Sequence, residues 1–371
     1  MSVAGAILHS LARCFFIRHV TRGTFCLVLS ICVVSFLAGE ALAQGQPTPP
    51  DCIEGAVTLP LLGGSGDSPI IPATLNGRPI ALYFSHGFDK LYVGNMDGFD
   101  TYDTHRSGMI TTNGIYTDPQ PIIQAGQLAI GPLDMGTPDM IQLEDYPTQM
   151  IGSRPLIGVI GREAFSHLAV LVDIPHSAFA LIRFSRDAAC RSAPAALIGA
   201  GAQALPLHGK GLIPVSIDGV ARDFVLDADT PVTTIPSIWL DPVKDDPADP
   251  AGNSGVALYG TIHSHLKRTT VKSMRMGAMS LDHMSVYAQD DLGMGLLGTD
   301  FFQNHIVLFD DPDDRVYLLP SASLPQKPGE NLHFDRFRTG RTSVEDLSGR
   351  ARRINRKNRA GQSTGVRSGL P

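Results

Sequence analysis

The chain has 371 residues, 43% hydrophobic and 18% charged, enough to bury a core and too apolar for a disordered or collagenous polymer, with two domains expected at this length. Its 38 glycines and 27 prolines follow no period and favour a turn-rich β protein over a helix bundle. The net charge of −6 divides into +6 from Pro328 onward and −12 before it, which excludes the body of the chain as a nucleic-acid-binding surface.

Arg13, Arg18 and Arg22 precede an apolar run from Phe25 to Leu37, and Ala41-Leu42-Ala43 supplies small residues for a signal peptidase. Residues 1–43 therefore read as a secretory signal peptide cleaved before Gln44. An uncleaved anchor is the alternative, but the run falls short of the ~20 apolar residues a spanning helix needs and Glu40 closes it. No later stretch is long and apolar enough to span, so the mature protein is expected to be soluble in the periplasm or outside the cell. Cys14, Cys26 and Cys32 leave with the signal, which makes Cys52 and Cys190 the cysteines of the mature chain. Export permits a disulfide, and the two are expected to pair, with free thiols the alternative.

Residues 44–50 are polar and Pro-rich, and ordered sequence is expected from about Asp51. Two apolar runs, from Ile70 to Leu75 and from Ile80 to Phe84, flank Asn76-Gly77, which predicts a tight β-hairpin. The pattern returns 142 residues later, where Leu212 to Ile217 and Phe224 to Leu226 flank Asp218-Gly219. A second stretch repeats as well. Gly158 to Ile182 aligns without gaps on Gly295 to Leu319, with eight of 25 positions identical, among them Gly158/Gly295, Gly161/Gly298, Asp173/Asp310 and Pro175/Pro312. Shared glycines, an aspartate and a proline point to two copies of one unit. Two copies are too few for a solenoid, so they are expected to pack as a pseudo-two-fold pair of β lobes, residues 51–190 and 205–320, joined by an Ala/Gly-rich linker, 191–204.

These residues resemble the aspartic peptidases, both the bilobal pepsin-like kind and the single-lobe retropepsin-like kind. In that family each lobe carries two hydrophobic residues, Asp-Thr-Gly and an apolar strand, then later a glycine before a short helix. Tyr83-Phe84-Ser85-His86-Gly87 is similar to the first motif and Val225-Leu226-Asp227-Ala228-Asp229 to its second-lobe partner. Val159-Ile160-Gly161 and Leu296-Leu297-Gly298 are similar to the later glycine segment. The resemblance covers about residues 55–320 and implies an all-β fold with short helices, two retropepsin-like lobes facing each other across a cleft. Two lobes in one chain imply a monomer.

The family's chemistry needs two carboxylates that share one proton, one taking a proton from water while the other protonates the substrate oxygen. Of the six motif positions only Gly87 and Asp227 are retained. Ser85 stands in place of the first aspartate, His86 and Ala228 in place of the two threonines, and Asp229 in place of a turn glycine. The expectation is a pseudopeptidase that binds extended peptide in the cleft without efficient cleavage, with no cofactor. Two alternatives stay open. One is an active acid endopeptidase pairing Asp227 with Asp229 or Asp89; the other is a metal-dependent hydrolase at His86, Asp227 and Asp229. His263 and His265 read as part of a solvated hairpin. Flaps over the cleft are expected in residues 99–118 and 253–267. Residues 321–371, rich in Arg, Gly and Ser, read as a solvated basic tail that cannot fold alone.

Overall fold

The computed structural model describes residues 49–94, 96–112, 115–143, 149–209, 211–240, 266–290, 292–321, 327–334 and 342–346. Asn76 and Gly77 take φ of 51° and 75°, and Asp218 and Gly219 take 49° and 87°. This is the left-handed pair that a two-residue hairpin turn needs to match the twist of its strands. Around these turns Ile70–Leu75 pairs antiparallel with Arg78–Phe84, and Leu212–Ile217 with Val220–Leu226. Each second strand starts exposed and ends buried. Both therefore deliver the next residue, Ser85 or Asp227, into the interior.

A third strand completes each motif. Arg154–Ile160 runs parallel to Arg78–Phe84 and antiparallel to Leu91–Val93. In the second lobe Gly295–Leu297 lies in the same way between Val220–Leu226 and Thr234–Pro236. The identical glycines follow from this crossing. A Cβ on Gly161 would come within 2.6 Å of the Phe88 carbonyl oxygen and 2.7 Å of that of Lys90; one on Gly298 would come within 2.6 Å of Thr230 and 2.7 Å of Val232. Those carbonyls are themselves equivalent across the repeat. Backbone presses on backbone at both places, and no side chain fits.

Six strands form the sheet that joins the lobes, in the order Ile53–Pro60, Ala178–Phe184, Ala169–Asp173, His305–Asp310, Arg315–Pro320 and Gln203–Pro206. At its centre Leu171 pairs with Leu308, its own counterpart in the repeat, so a local two-fold axis passes through that pair. The second lobe closes as a barrel in which Leu266–Met276 and Met279–Gln289 complete the ring. One apolar core runs through both lobes and the joining sheet. Within it the Phe84 ring lies 5.2 Å from Phe179, 6.0 Å from Phe165 and 6.2 Å from Phe309. Phe84 directly precedes Ser85, so the first motif loop is rooted in this core. Cys52 and Cys190 form a disulfide, with Cα atoms 5.4 Å apart.

The larger first-lobe sheet carries the hairpin Tyr102–Thr112 and Ile115–Gln124, which overlaps the expected flap region 99–118 and extends beyond it. Its outer edge differs from expectation. Strand Thr342–Asp346 pairs antiparallel with Tyr102–Thr112, and residues 327–334 lie against the first lobe with His333 and Phe334 buried. These two pieces of the tail are not solvated coil. The tail lacks apolar residues for a core of its own, and it packs on the core the first lobe already has. The expected second flap, 253–267, lies outside the described residues except for Leu266 and Lys267, which begin a strand. His263, His265 and the signal segment 1–43 lie outside them too. No helix among the described residues is long and apolar enough to cross a membrane.

Candidate functional site

The two motif loops share one backbone design. Ser85 N donates to Ile160 O at 3.3 Å, and Asp227 N to Leu297 O at 2.9 Å; Phe88 N returns to Ser85 O at 3.3 Å, and Thr230 N to Asp227 O at 3.1 Å. Each pair of bonds is the same pair shifted along the repeat. The loops meet through their side chains. Ser85 Oγ donates to Asp227 Oδ1 at 2.5 Å and accepts from Gly87 N at 3.1 Å. Thr230 Oγ1 donates to Asp227 Oδ2 at 2.9 Å, and Asp229 N reaches Oδ1 at 3.3 Å. Gly87 is required by this approach, because a Cβ there would sit 2.8 Å from Asp227 Cγ.

Asp227 is 1% exposed and Ser85 fully enclosed. Burial is the largest influence on the Asp227 carboxyl and raises it above the ordinary 3.8; the Ser85 and Thr230 hydroxyls, the Asp229 amide and His86 pull the other way without offsetting it. A water bridging the two side chains would hold them roughly 4–5 Å apart. At 2.5 Å the hydroxyl takes that place itself.

His86 and Ala228 stand where the resemblance places threonines that lock the loops. The His86 ring stacks on Phe309 of the second lobe, centroids 4.1 Å apart and planes within 7°. Its Nε2 lies 2.9 Å from Asp311 Oδ1. His86 therefore ties the first loop to the other lobe by stacking and one polar contact. A different pair of residues holds the loop carbonyls. Arg162 Nη1 donates to the carbonyls of His86 at 3.4 Å and Phe88 at 3.2 Å, while Thr299 Oγ1 donates to those of Ala228 at 2.7 Å and Thr230 at 3.2 Å. Arg162 and Thr299 both follow the repeated glycine, so equivalent positions grip equivalent carbonyls with unlike side chains.

Asp229 stands where the resemblance places a turn glycine, and it turns its carboxylate toward the first lobe. Its Oδ1 accepts from Ser68 Oγ at 2.7 Å and from the backbone amide of Phe334 at 2.8 Å. Asp89 Oδ1 accepts from Tyr92 Oη at 2.7 Å. Neither carboxylate meets Asp227 as a dyad partner. The metal reading is not supported either: His86 is turned to Asp311 and Asp229 to Ser68, and among the described residues no three His, Cys, Asp or Glu side chains are grouped to hold a metal ion. Sequence reasoning did not single out Ser68, Asp67, Arg162, Thr230, Thr299 or Phe334. Only Arg162 and Thr299 carried a usable signal, their shared position after the repeated glycine. A hollow of about 210 Å³, lined by Arg162, Glu163, Ser166, Leu207, Gly211, Asp311 and Asp314, lies between the lobes and includes neither Ser85 nor Asp227.

No protein-family model matches the chain, and no curated protein sequence matches it. Among solved structures the chain is similar to the aspartic proteinase from Irpex lacteus, at 12% identity and a TM-score of 0.44, over 72% of this chain and 98% of that one.

Proposed function

We propose that the chain is an exported protein of aspartic-peptidase lineage that binds peptide between its lobes and does not cleave it efficiently: a monomeric pseudopeptidase acting in the periplasm or outside the cell without a cofactor. The observation that carries this reading is the 2.5 Å hydrogen bond from Ser85 Oγ to Asp227, at two positions where cleavage needs two carboxylates. A serine hydroxyl does not titrate near neutral pH, so the shared proton that divides the labour of acid and base has no second holder. General-base help from one carboxylate alone is worth only ~10²- to 10⁴-fold, and this carboxylate is already bonded on both oxygens. Export is supported by the signal-like residues 1–43 and by the disulfide.

The test incubates the chain from Gln44 to its C-terminus, beside Asp227→Asn, with denatured mixed proteins from about pH 3 to 7, where carboxylate dyads titrate. Neither protein is expected to produce fragments. New fragments from the parent, absent with the variant, would establish the active acid endopeptidase instead.

A further inference from the structure

The chain itself offers an occupant for the interlobe site. Residues 327–334 are held to the loop before the first hairpin by a run of backbone bonds: Ser65 N to Lys327 O at 3.0 Å, Gly66 N to Pro328 O at 2.8 Å and Ser68 N to Leu332 O at 2.9 Å. Two carboxylates receive the segment's own amides. Asp67 Oδ1 accepts from Glu330 N at 2.9 Å and Leu332 N at 2.8 Å, and Asp229 Oδ1 from Phe334 N at 2.8 Å. Asn331, with φ of 57°, turns the chain so that the amides on either side of it converge on one oxygen, the concave arrangement of N–H groups that suits an anion. Gly329, φ 89°, passes so close to Asp67 that a Cβ would meet its Oδ2 at 2.3 Å. Ser68 Oγ joins the cluster, 2.8 Å from His333 Nδ1.

Phe334 anchors the turn. It is 3% exposed, with its ring centroid 5.8 Å from Phe88 and 6.1 Å from Tyr83, residues of the first motif loop and its strand. Beyond it Thr342–Asp346 adds a strand to the outer edge of Tyr102–Thr112, a mode by which extended peptides commonly dock.

We propose that the site recognises a Gly-x-Asn-x-x-aromatic turn followed by an edge strand, and that the chain's own residues 327–334 and 342–346 are its resident ligand, excluding others until they are displaced. This rests on the reading of the interlobe site as peptide-binding and names its ligand class and its regulation. It also accounts for Asp229: the carboxylate that stands where the resemblance places a glycine receives the tail.

The test uses the full mature chain, its Phe334→Ala variant and a second variant, Glu330→Pro, which deletes one amide on Asp67 without touching the aromatic cluster. The probe is a labelled peptide with the sequence of residues 327–346, beside a scrambled version of it. Freeing the site in cis raises the apparent affinity in trans by the gain in the unoccupied fraction. Both variants are expected to bind the probe about tenfold or more tighter than the parent, and adding Asp229→Asn to either should lower that binding again. Folded variants that bind the probe no better than the parent overturn the proposal. Equal binding of the scrambled peptide overturns it while leaving the interlobe peptide site standing; no binding of either peptide by any folded variant overturns both.

Discussion

Ser85 and Asp227 sit at equivalent places in two equivalent loops, yet their contact is between unlike partners, and this fixes what each substitution should do. Removing the Ser85 hydroxyl leaves Asp227 Oδ1 with the 3.3 Å amide of Asp229, and an under-satisfied buried acceptor costs about 1–3 kcal/mol. Ser85→Ala should therefore lose stability by that amount near neutral pH and by less at acid pH, because the Ser85 hydroxyl favours the charged carboxylate. Asp227→Asn should behave differently. Because burial raises the folded carboxyl above 3.8, the folded state holds that proton more tightly than the unfolded one, so stability falls as pH rises from about 4 until the folded carboxyl has ionised. Asparagine keeps an acceptor for Ser85 and cannot ionise, and the Thr230 hydroxyl can rotate to accept from the new amide. Urea denaturation at pH 4, 5.5 and 7 should show a flatter pH profile for Asp227→Asn and a stability at pH 7 at or above that of the parent. A loss at pH 7 larger than that of Ser85→Ala would mean that the loop depends on the ionised carboxylate.

At the scale of elements, the repeated turn after each central strand of the joining sheet shows how one backbone plan takes on unlike chemistry. Asp173 and Asp310 both precede a short helical turn, and Ser177 and Asp314 close those turns with φ of 55° and 50°. Asp173 accepts the His176 amide at 3.1 Å and faces its ring Nδ1 at 2.7 Å. Asp310 makes no such cap. Its carboxyl is pushed up to about 6, first by burial and then by Asp313 and Asp311, against the pull of Arg186 and Arg315. The stability tied to this group is complete below 3.8 and is lost as pH rises through about 6. Asp310→Asn should remove that loss, seen as a smaller fall in the thermal midpoint between pH 4 and 6.5; an unchanged slope would refute it. These turns were legible in the sequence because Asp and Pro recur at fixed offsets, and the hairpins because Asn-Gly and Asp-Gly meet a demand for positive φ. Arg162 and Thr299 were marked only by their shared position after the repeated glycine, because a guanidinium and a hydroxyl perform one task and no common residue identity signals it.

The whole molecule is held together at three distances along the chain, and sequence patterns expose only some of them. The joining sheet is readable from the repeat, since Leu171 meets its own counterpart Leu308. The docking of the tail is not: Phe334 meets Asp229 across 105 residues, through a backbone amide that leaves no trace in composition, and a +6 segment reads as solvated until a surface for it is known. The disulfide is the third tie, and it links residues 138 positions apart at the two ends of the first lobe. Closing so long a loop restricts the unfolded chain, and the stabilisation from such a bond is about 2–5 kcal/mol. Replacing Cys52 and Cys190 together with alanine should lower the unfolding free energy by that amount, read as a fall in the denaturant midpoint. The transition should stay single, because the apolar core runs without a break from Leu82 and Phe84 through Phe309 to Leu226 and Leu297, so neither lobe can open without exposing part of the other's packing. Fluorescence of Trp239, which packs on the second-lobe core, should then report the same midpoint as far-UV circular dichroism. Two separated midpoints in the double variant would show that the shared core does not hold the lobes to one transition once the first lobe loses its disulfide.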